Sequence, residues 1–307
     1  IHRRLSERLG SHGKPVPLIA ETGGINAMVV DSSALSEQVV GDVLMSAYDS
    51  AGQRCSALRL LCLQEDSAEH VLHMLRGAMQ TLRVGNPDQL ATDVGPVIDA
   101  QAKADIENYI DGMRGHGHQV TRLELPAECR HGHFVAPTLI EVGSVQDLSR
   151  EVFGPVLHVL RYARKDMDAL LQAINNLGFG LTFGVHTRLD ETVAHVSERI
   201  HAGNIYVNRN VVGAVVGVQP FGGEGLSGTG PKAGGPLYLF RLLSQAPALD
   251  QLAIPAARGA QTLPIAAGAQ VLLDGPTGET DQYGLQPRGL IWGLPATTYG
   301  LHVQWQA

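Results

Sequence analysis

From Pro15 to Gly213 the chain alternates short β-branched runs with stretches of helical periodicity, and this alternation restricts it to an α/β domain built on a mostly parallel sheet. Pro17 to Thr22, Ala27 to Asp31, Ala57 to Gln64, Phe134 to Val142, Pro155 to Tyr162, Leu181 to Thr187 and Asn204 to Asn208 read as strands. Helical spacing recurs at Ser36 to Ser50, where Ser33 offers an N-terminal cap, and at Ala68 to Leu82, which stops at Gly85. Further helical patterns run from Ala100 to Met113, Asp166 to Asn176 and Asp190 to His201. Gly41 interrupts the helix over Ser36 to Ser50 and reads as a close helix contact. After Ser244 the composition changes. Residues 246–270 are rich in Ala, Pro and Gln and read as a linker or flap, and 271–307, with Trp292 and Trp305, reads as the start of a further, truncated unit. The chain opens at Ile1 without Met or signal-peptide pattern and reads as a piece of a longer protein.

Composition narrows the partners. With 23 basic and 30 acidic residues the net charge is −7, and no Lys/Arg run concentrates positive potential, which argues against a nucleic-acid groove. No stretch reaches the roughly 20 apolar residues a membrane span needs. Three scattered cysteines, Cys55, Cys62 and Cys129, form no disulfide framework and point to a reducing, cytoplasmic compartment.

Two of the clusters carry chemistry. Ser50-Ala51-Gly52-Gln53-Arg54-Cys55-Ser56 is a glycine-containing turn at a helix end, just before an apolar strand. A thiol there can face a cleft, and the Arg54 charge with local amides is expected to lower its pKa from about 8.5. Backbone N–H groups beside it suit a developing oxyanion. The competing reading is a buried, inert cysteine. Glu21, in Glu21-Thr22-Gly23-Gly24, is expected at the carboxyl end of a strand, where ligands of α/β sheets bind. Partial burial there raises a carboxyl pKa and suits a general base, against the alternative of a solvated loop residue.

Other signals are set aside. Gly223-Glu-Gly-Leu-Ser-Gly228 matches a dinucleotide fingerprint, but Pro231, Gly234, Gly235 and Pro236 forbid the helix it needs, so it reads as a flexible loop over the site. Cys129, His131 and His133 have no closed-site metal spacing and read as a solvated surface loop; no metal is expected. His158 reads as a hydrogen-bonded core residue and Cys62 as packing.

Four ordered motifs carry a resemblance: Glu-Thr-Gly-Gly at 21–24, Gly-Gln-Arg-Cys at 52–55, Glu-Val-Phe-Gly-Pro at 151–155 and Pro-Phe-Gly-Gly at 220–223. Together they resemble the aldehyde dehydrogenase superfamily. The runs 49–59 and 208–230 resemble the aldehyde dehydrogenase half of bifunctional proline utilisation A proteins, which oxidise proline and then glutamate semialdehyde. The resemblance is strong over about residues 1–245. It implies an α/β aldehyde dehydrogenase catalytic domain over 51–245 with an oligomerisation segment, preceded in 1–50 by the end of a Rossmann-like NAD-binding domain. It implies Cys55 as the nucleophile that passes through thiohemiacetal and thioester, and Glu21 as the base for hydrolysis. Glu151 is implied to hydrogen-bond the nicotinamide ribose and Phe153 to pack near the nicotinamide of NAD. Ser56, Gly213 and Ala214 are implied to anchor the carboxylate of the aldehyde substrate, with Phe221 as an aromatic wall. Ile25 departs from the lysine of the wider motif. FAD is implied only for a proline dehydrogenase domain upstream of Ile1, and homo-oligomers are expected. Because the family's phosphate-cradling lysine and glycine turn and its oxyanion-hole asparagine lie upstream of this sequence, the isolated chain is expected to be inactive. A cysteine-dependent esterase or acyl transferase is the rival enzyme reading, and a non-catalytic assembly part the rival of another class.

Overall fold

The computed structural model describes residues 1–10, 13, 16–243, 253–255, 262–264 and 270–286. A short helix, α1 (His2–Ser6), precedes the sheet. The main body then runs β1 (Asn26–Val30), α2 (Ser36–Tyr48), β2 (Leu58–Gln64), α3 (Glu65–Met79), α4 (Ala100–Gly115), β3 (Gln119–Arg122), β4 (Thr138–Val142) and β5 (Val156–Tyr162). It continues through α5 (Met167–Asn175), β6 (Phe179–Gly180), β7 (Thr182–His186), α6 (Asp190–Arg199), β8 (Asn204–Val207) and β9 (Glu224–Gly225).

Seven strands form one sheet in the order β3-β4-β5-β2-β1-β7-β8. Only the β3–β4 pairing is antiparallel within it. The fold is therefore α/β with a mostly parallel sheet, as the alternation predicts. Every residue of β1 and β2 is buried, which matches their continuous apolar runs, because strands covered on both faces show no polar alternation. Covering helices bury one stripe each. In α2 the stripe is Val39, Val40, Val43 and Ala47, and in α3 it is Ala68, Val71, Leu72, Leu75 and Met79. Residues 1–50 and 51–245 share this sheet, since β1 lies inside it.

Several local expectations are corrected. Residues 17–22 form no strand: only Glu21 bridges, to Gly228, although Thr22 N also donates to Ser227 O at 3.0 Å. Ser33 does not cap α2. Its hydroxyl donates to Asp31 Oδ1 at 2.6 Å and Leu35 takes the cap position. α3 ends at Met79, six residues before Gly85. Gly41 is exposed, and a Cβ there would meet nothing within 4 Å, so no close helix contact accounts for it. β3 was missed because Gln119–Arg122 is polar and half exposed, as befits an edge strand. Cys129 is not solvated: it is 3% exposed, packed in the core with its thiol directed at Val84 O. Cys62 and His158 are buried as expected, and His158 bonds Arg59 O and Tyr109 Oη, each at 2.9 Å.

Within the tail, Ala253–Pro255 pairs with Thr262–Pro264, and Gln270–Leu273 pairs with Asp281–Gly284, both antiparallel. Trp292 and Trp305 lie outside the described residues. No helix among the described residues is long and apolar enough to cross a membrane.

Candidate active site

Glu21, Cys55 and Glu151 precede β1, β2 and β5, so all three gather at the amino edge of the parallel sheet. This corrects the expectation that Glu21 stands at the carboxyl end of a strand. The apolar segment before it is not a strand, and the chain enters the sheet only after the glycines at 23 and 24.

The turn before Cys55 is built under strain. Ser50 (φ 56°), Ala51 (φ 53°) and Gly52 (φ 64°) are consecutive left-handed residues, costly for the two that carry a Cβ. A side chain at 52 is excluded, since its Cβ would lie 2.2 Å from Gly154 O. The surrounding structure holds the turn in place. Gln53 Nε2 donates to Ser50 O (3.1 Å) and Pro96 O (3.2 Å), while its Oε1 accepts from Ile98 N (2.8 Å). Asn26, 2% exposed at the start of β1, donates to Cys55 O (2.7 Å) and Ala57 O (2.8 Å) and accepts from Thr182 N (3.1 Å). Thr182 Oγ1 donates to Ser56 O at 3.3 Å. Three strands thus fix the backbone around the thiol, and Cys55 itself stays exposed.

The electrostatics differ from the sequence expectation. Burial pushes the Cys55 thiol above its ordinary pKa, opposed by the N–H groups of Ser56 and Cys55, and raised further by the charges of Glu151 and Glu21. Arg54 does not offset this, because its exposed side chain donates from Nε to Ser50 Oγ at 3.0 Å. Glu21 is likewise raised by burial, with the Gly223 N–H (2.9 Å to Oε2) and the Lys232 charge pulling the other way. Lys232 donates from Nζ to Gly203 O. Glu151 is raised by burial, opposed chiefly by Arg59 and by the Gly24 N–H. A Cβ at Gly23 (φ 87°) would stand 2.5 Å from Glu151 Oε2, so the glycine lets that carboxylate close on the Glu21 segment.

Arg59 is a site residue that the sequence reading passed over. It is 1% exposed inside β2, with Nη1 donating to Gly154 O at 3.0 Å and Nη2 to Arg54 O at 3.2 Å. Nη2 also lies 3.6 Å from Glu151 Oε1, an ion pair longer than a hydrogen bond. The signal was present as a lone charge in Leu58-Arg59-Leu60-Leu61, since buried charges require partners.

Ser56 is buried beside the thiol, and Phe221 exchanges backbone hydrogen bonds with Ala233 (3.0 and 2.8 Å). Phe153 is 47% exposed, its ring 5.4 Å from Arg59 Cζ. Gly213 and Ala214 stand on the loop after β8, which returns toward the amino edge: Val211 N donates to Ser46 Oγ (3.1 Å), and Asn204 Nδ2 to Pro220 O (2.8 Å). Hydrogen bonds from that loop run to α2 and, through Gln219, to Glu279 and Asp281. The 223–228 loop is tied down, with Thr22 N bonded to Ser227 O and Leu226 N to Gly178 O. It is not a free flap. Among the described residues no three His, Cys, Asp or Glu side chains group to hold a metal ion.

Comparison with known proteins places the chain in a family. The model of the Aldehyde dehydrogenase family matches residues 1–245. The bifunctional protein PutA of Klebsiella aerogenes is 59% identical over 288 residues, covering 92% of this chain and 22% of that protein. The 1-pyrroline-5-carboxylate dehydrogenase of Geobacillus sp. (strain WCH70) is 38% identical over 225 residues, covering 73% of this chain and 43% of the relative. Among solved structures, a bifunctional proline utilization A protein superposes with a TM-score of 0.73 at 52% identity over 78% of this chain and 24% of its own. The 1-pyrroline-5-carboxylate dehydrogenase from Thermus with bound NAD gives 0.66 at 37% identity over 73% of this chain and 43% of its own. The chain spans about a quarter of the length of the PutA relatives it matches. With the four motifs in order and their residues meeting at one sheet edge, the chain belongs to the aldehyde dehydrogenase family.

Proposed function

We propose that this chain supplies the catalytic centre of an enzyme that oxidises L-glutamate γ-semialdehyde to L-glutamate with NAD, the second step of proline catabolism. One observation carries the reading: an exposed thiol, held on a strained turn, shares the amino edge of the sheet with two carboxylates, Glu21 and Glu151, whose pKa values partial burial has raised. Relatives named as PutA and as 1-pyrroline-5-carboxylate dehydrogenase support the substrate class.

In this reading Cys55 gives up its proton to solvent water and its sulfur bonds to the aldehyde carbon, with the Ser56 N–H beside the sulfur placed to steady the resulting oxyanion. NAD, when bound, accepts the hydride that leaves this carbon, and a Cys55 thioester remains. Glu21 takes a proton from water, the hydroxide adds to the thioester, and the thiolate departs. A raised pKa brings Glu21 closer to the range where a base both accepts and releases protons at neutral pH.

The residues present fit the cofactor. Glu151 Oε1 is a buried acceptor without a hydrogen-bond partner, suited to a ribose hydroxyl, and Phe153 offers an exposed ring beside it. Ser56, Gly213 and Ala214 are small and rich in N–H donors for the substrate carboxylate. The enzyme is read as a cytoplasmic homo-oligomer.

The test is NADH formation from glutamate semialdehyde by the full-length protein that contains this chain. Hydrolysis of an activated ester with no reduction of NAD would instead favour a cysteine esterase or acyl transferase.

A further inference from the structure

Arg59 sits where a strand buried on both faces calls for Leu or Val, and a buried guanidinium is tolerated only when its donors find partners. Its partners come from two segments of the site. Nη2 donates to Arg54 O, the carbonyl of the peptide whose N–H belongs to Cys55. Nη1 donates to Gly154 O, while Nη2 also approaches Glu151 Oε1 and Cζ faces the Phe153 ring. The planar fork of arginine reaches these groups at once, which a single ammonium cannot do.

We propose that Arg59 is a positioning residue that locks the thiol turn to the cofactor-facing segment 151–154 and, through its bond to Arg54 O, holds a fixed positive charge one peptide away from Cys55. The cofactor half of this statement rests on the function proposed above; the thiolate half does not. Arg59 touches no reacting atom in this arrangement. It acts through Arg54 O on one side and Glu151 on the other. The charges that face it are Glu151 and Cys55, and burial holds its own pKa down to about 10, so it stays cationic across neutral pH.

The experiment uses Arg59→Met and Arg59→Lys in the full-length protein. The first readout is the pH profile of Cys55 alkylation by iodoacetamide without NAD or aldehyde, followed by peptide mass. Cys62 and Cys129, both buried, report folding in the same sample. Loss of a neighbouring positive charge moves a thiol by about one unit, so Arg59→Met should shift the profile upward and alkylate Cys55 about tenfold more slowly near neutrality. The second readout is the split between KM for NAD and kcat. Arg59→Lys keeps the charge but loses the fork, so its alkylation profile should stay near wild type while KM for NAD rises about tenfold. An Arg59→Met protein that still protects Cys62 and Cys129, with a wild-type alkylation profile and wild-type KM, overturns the proposal. Should Arg59→Met fail to fold, an unchanged KM in Arg59→Lys does the same. If the wild-type protein makes no NADH, the functional reading fails while the alkylation profile still reports on Arg59.

Discussion

The two edges of the central sheet gather different side chains. At the amino edge, before β1, β2 and β5, backbone conformations are strained and charged groups are shifted from their ordinary pKa values. Two buried polar atoms there, Arg59 Nε and Glu151 Oε1, have no hydrogen-bond partner. At the carboxyl edge, polar groups pair around Asp31 and Thr187, although His186 Nε2 at the end of β7 is buried without a hydrogen-bond partner. Asp31 Oδ1 accepts from Ser33 N (2.8 Å), and Thr187 Oγ1 donates to Asp31 Oδ2. Asn208 exchanges two hydrogen bonds with the Thr187 backbone, each 2.9 Å. A cavity of about 540 Å³ lined by Ser32, Gln64, Arg164 and Lys165 opens at this edge, where ligands of open α/β sheets ordinarily bind. Yet the residues of the proposed site lie at the other edge. The carboxyl edge also holds a left-handed residue, Asn208 (φ 52°), and the unpartnered His186 Nε2, so what sets the amino edge apart is that strain there coincides with a thiol and two carboxylates.

Removing the thiol should separate the edges most sharply. Cys55→Ala should lower dehydrogenase turnover of the full-length protein by about 10³-fold or more, since no other group takes over as nucleophile. Cys55 is exposed, so the melting temperature should stay within about 2 °C. A normal rate in this variant would remove Cys55 from the mechanism. Glu21→Gln should slow thioester hydrolysis by about 10²-fold while leaving a first-turnover burst of NADH. Because burial raises the Glu21 pKa, the wild-type rate should fall as pH drops through a value above the ordinary carboxylate range. The sign is fixed by the base having to be ionised, and the Gln variant should lose this limb. A wild-type profile flat down to the ordinary carboxylate range would contradict the assignment.

Asn26 is where the division between edges should blur. Asn26→Ala deprives Cys55 O, Ala57 O and Thr182 N of their shared partner in a buried setting. Each orphaned group costs about 1–3 kcal/mol, so destabilisation of about 2–4 kcal/mol by chemical denaturation is expected after partial relaxation. Turnover should fall as well, because the same side chain fixes the nucleophile's carbonyl. Lost stability with full turnover would mean that the thiol turn holds its shape without the central strand.

These contrasts explain what the sequence made legible. β1, β2, β5, β7 and β8 were readable because their apolar runs carry their own burial signal, and the helices because their stripes repeat at helical spacing. Cys55 and Glu21 stood out because glycine turns flank them, and the structure brings both to the amino edge of the sheet. Segment 17–22 was misread because an apolar run does not say whether a neighbouring strand exists to pair with it. The fate of the Arg54 charge was misread because sequence adjacency does not fix side-chain direction. The Arg54 guanidinium turns back to Ser50 Oγ, and the one that bonds the carbonyl next to the Cys55 N–H is that of Arg59, which comes up from inside β2. Cys129 was misread through its polar neighbours, although its short helical turn points the sulfur inward.

The smallest expected effect tests the quiet edge. Thr187 Oγ1 donates to Asp31 Oδ2 and accepts from Leu189 N at 3.1 Å, while Thr187 itself is 1% exposed. Thr187→Val keeps the shape and removes these two bonds together with the 3.2 Å contact to Ser33 Oγ, leaving one carboxylate oxygen and one N–H short of a partner. A loss of about 1–2 kcal/mol in unfolding free energy is expected. The site lies a full strand length away, beyond β1 and β7, so turnover and KM should stay within about twofold, as for distant independent sites. A tenfold fall in turnover with the protein still folded would show that strain at the amino edge is balanced through the strands by the hydrogen-bond network at the other end, and the two edges would then have to be treated as one coupled unit.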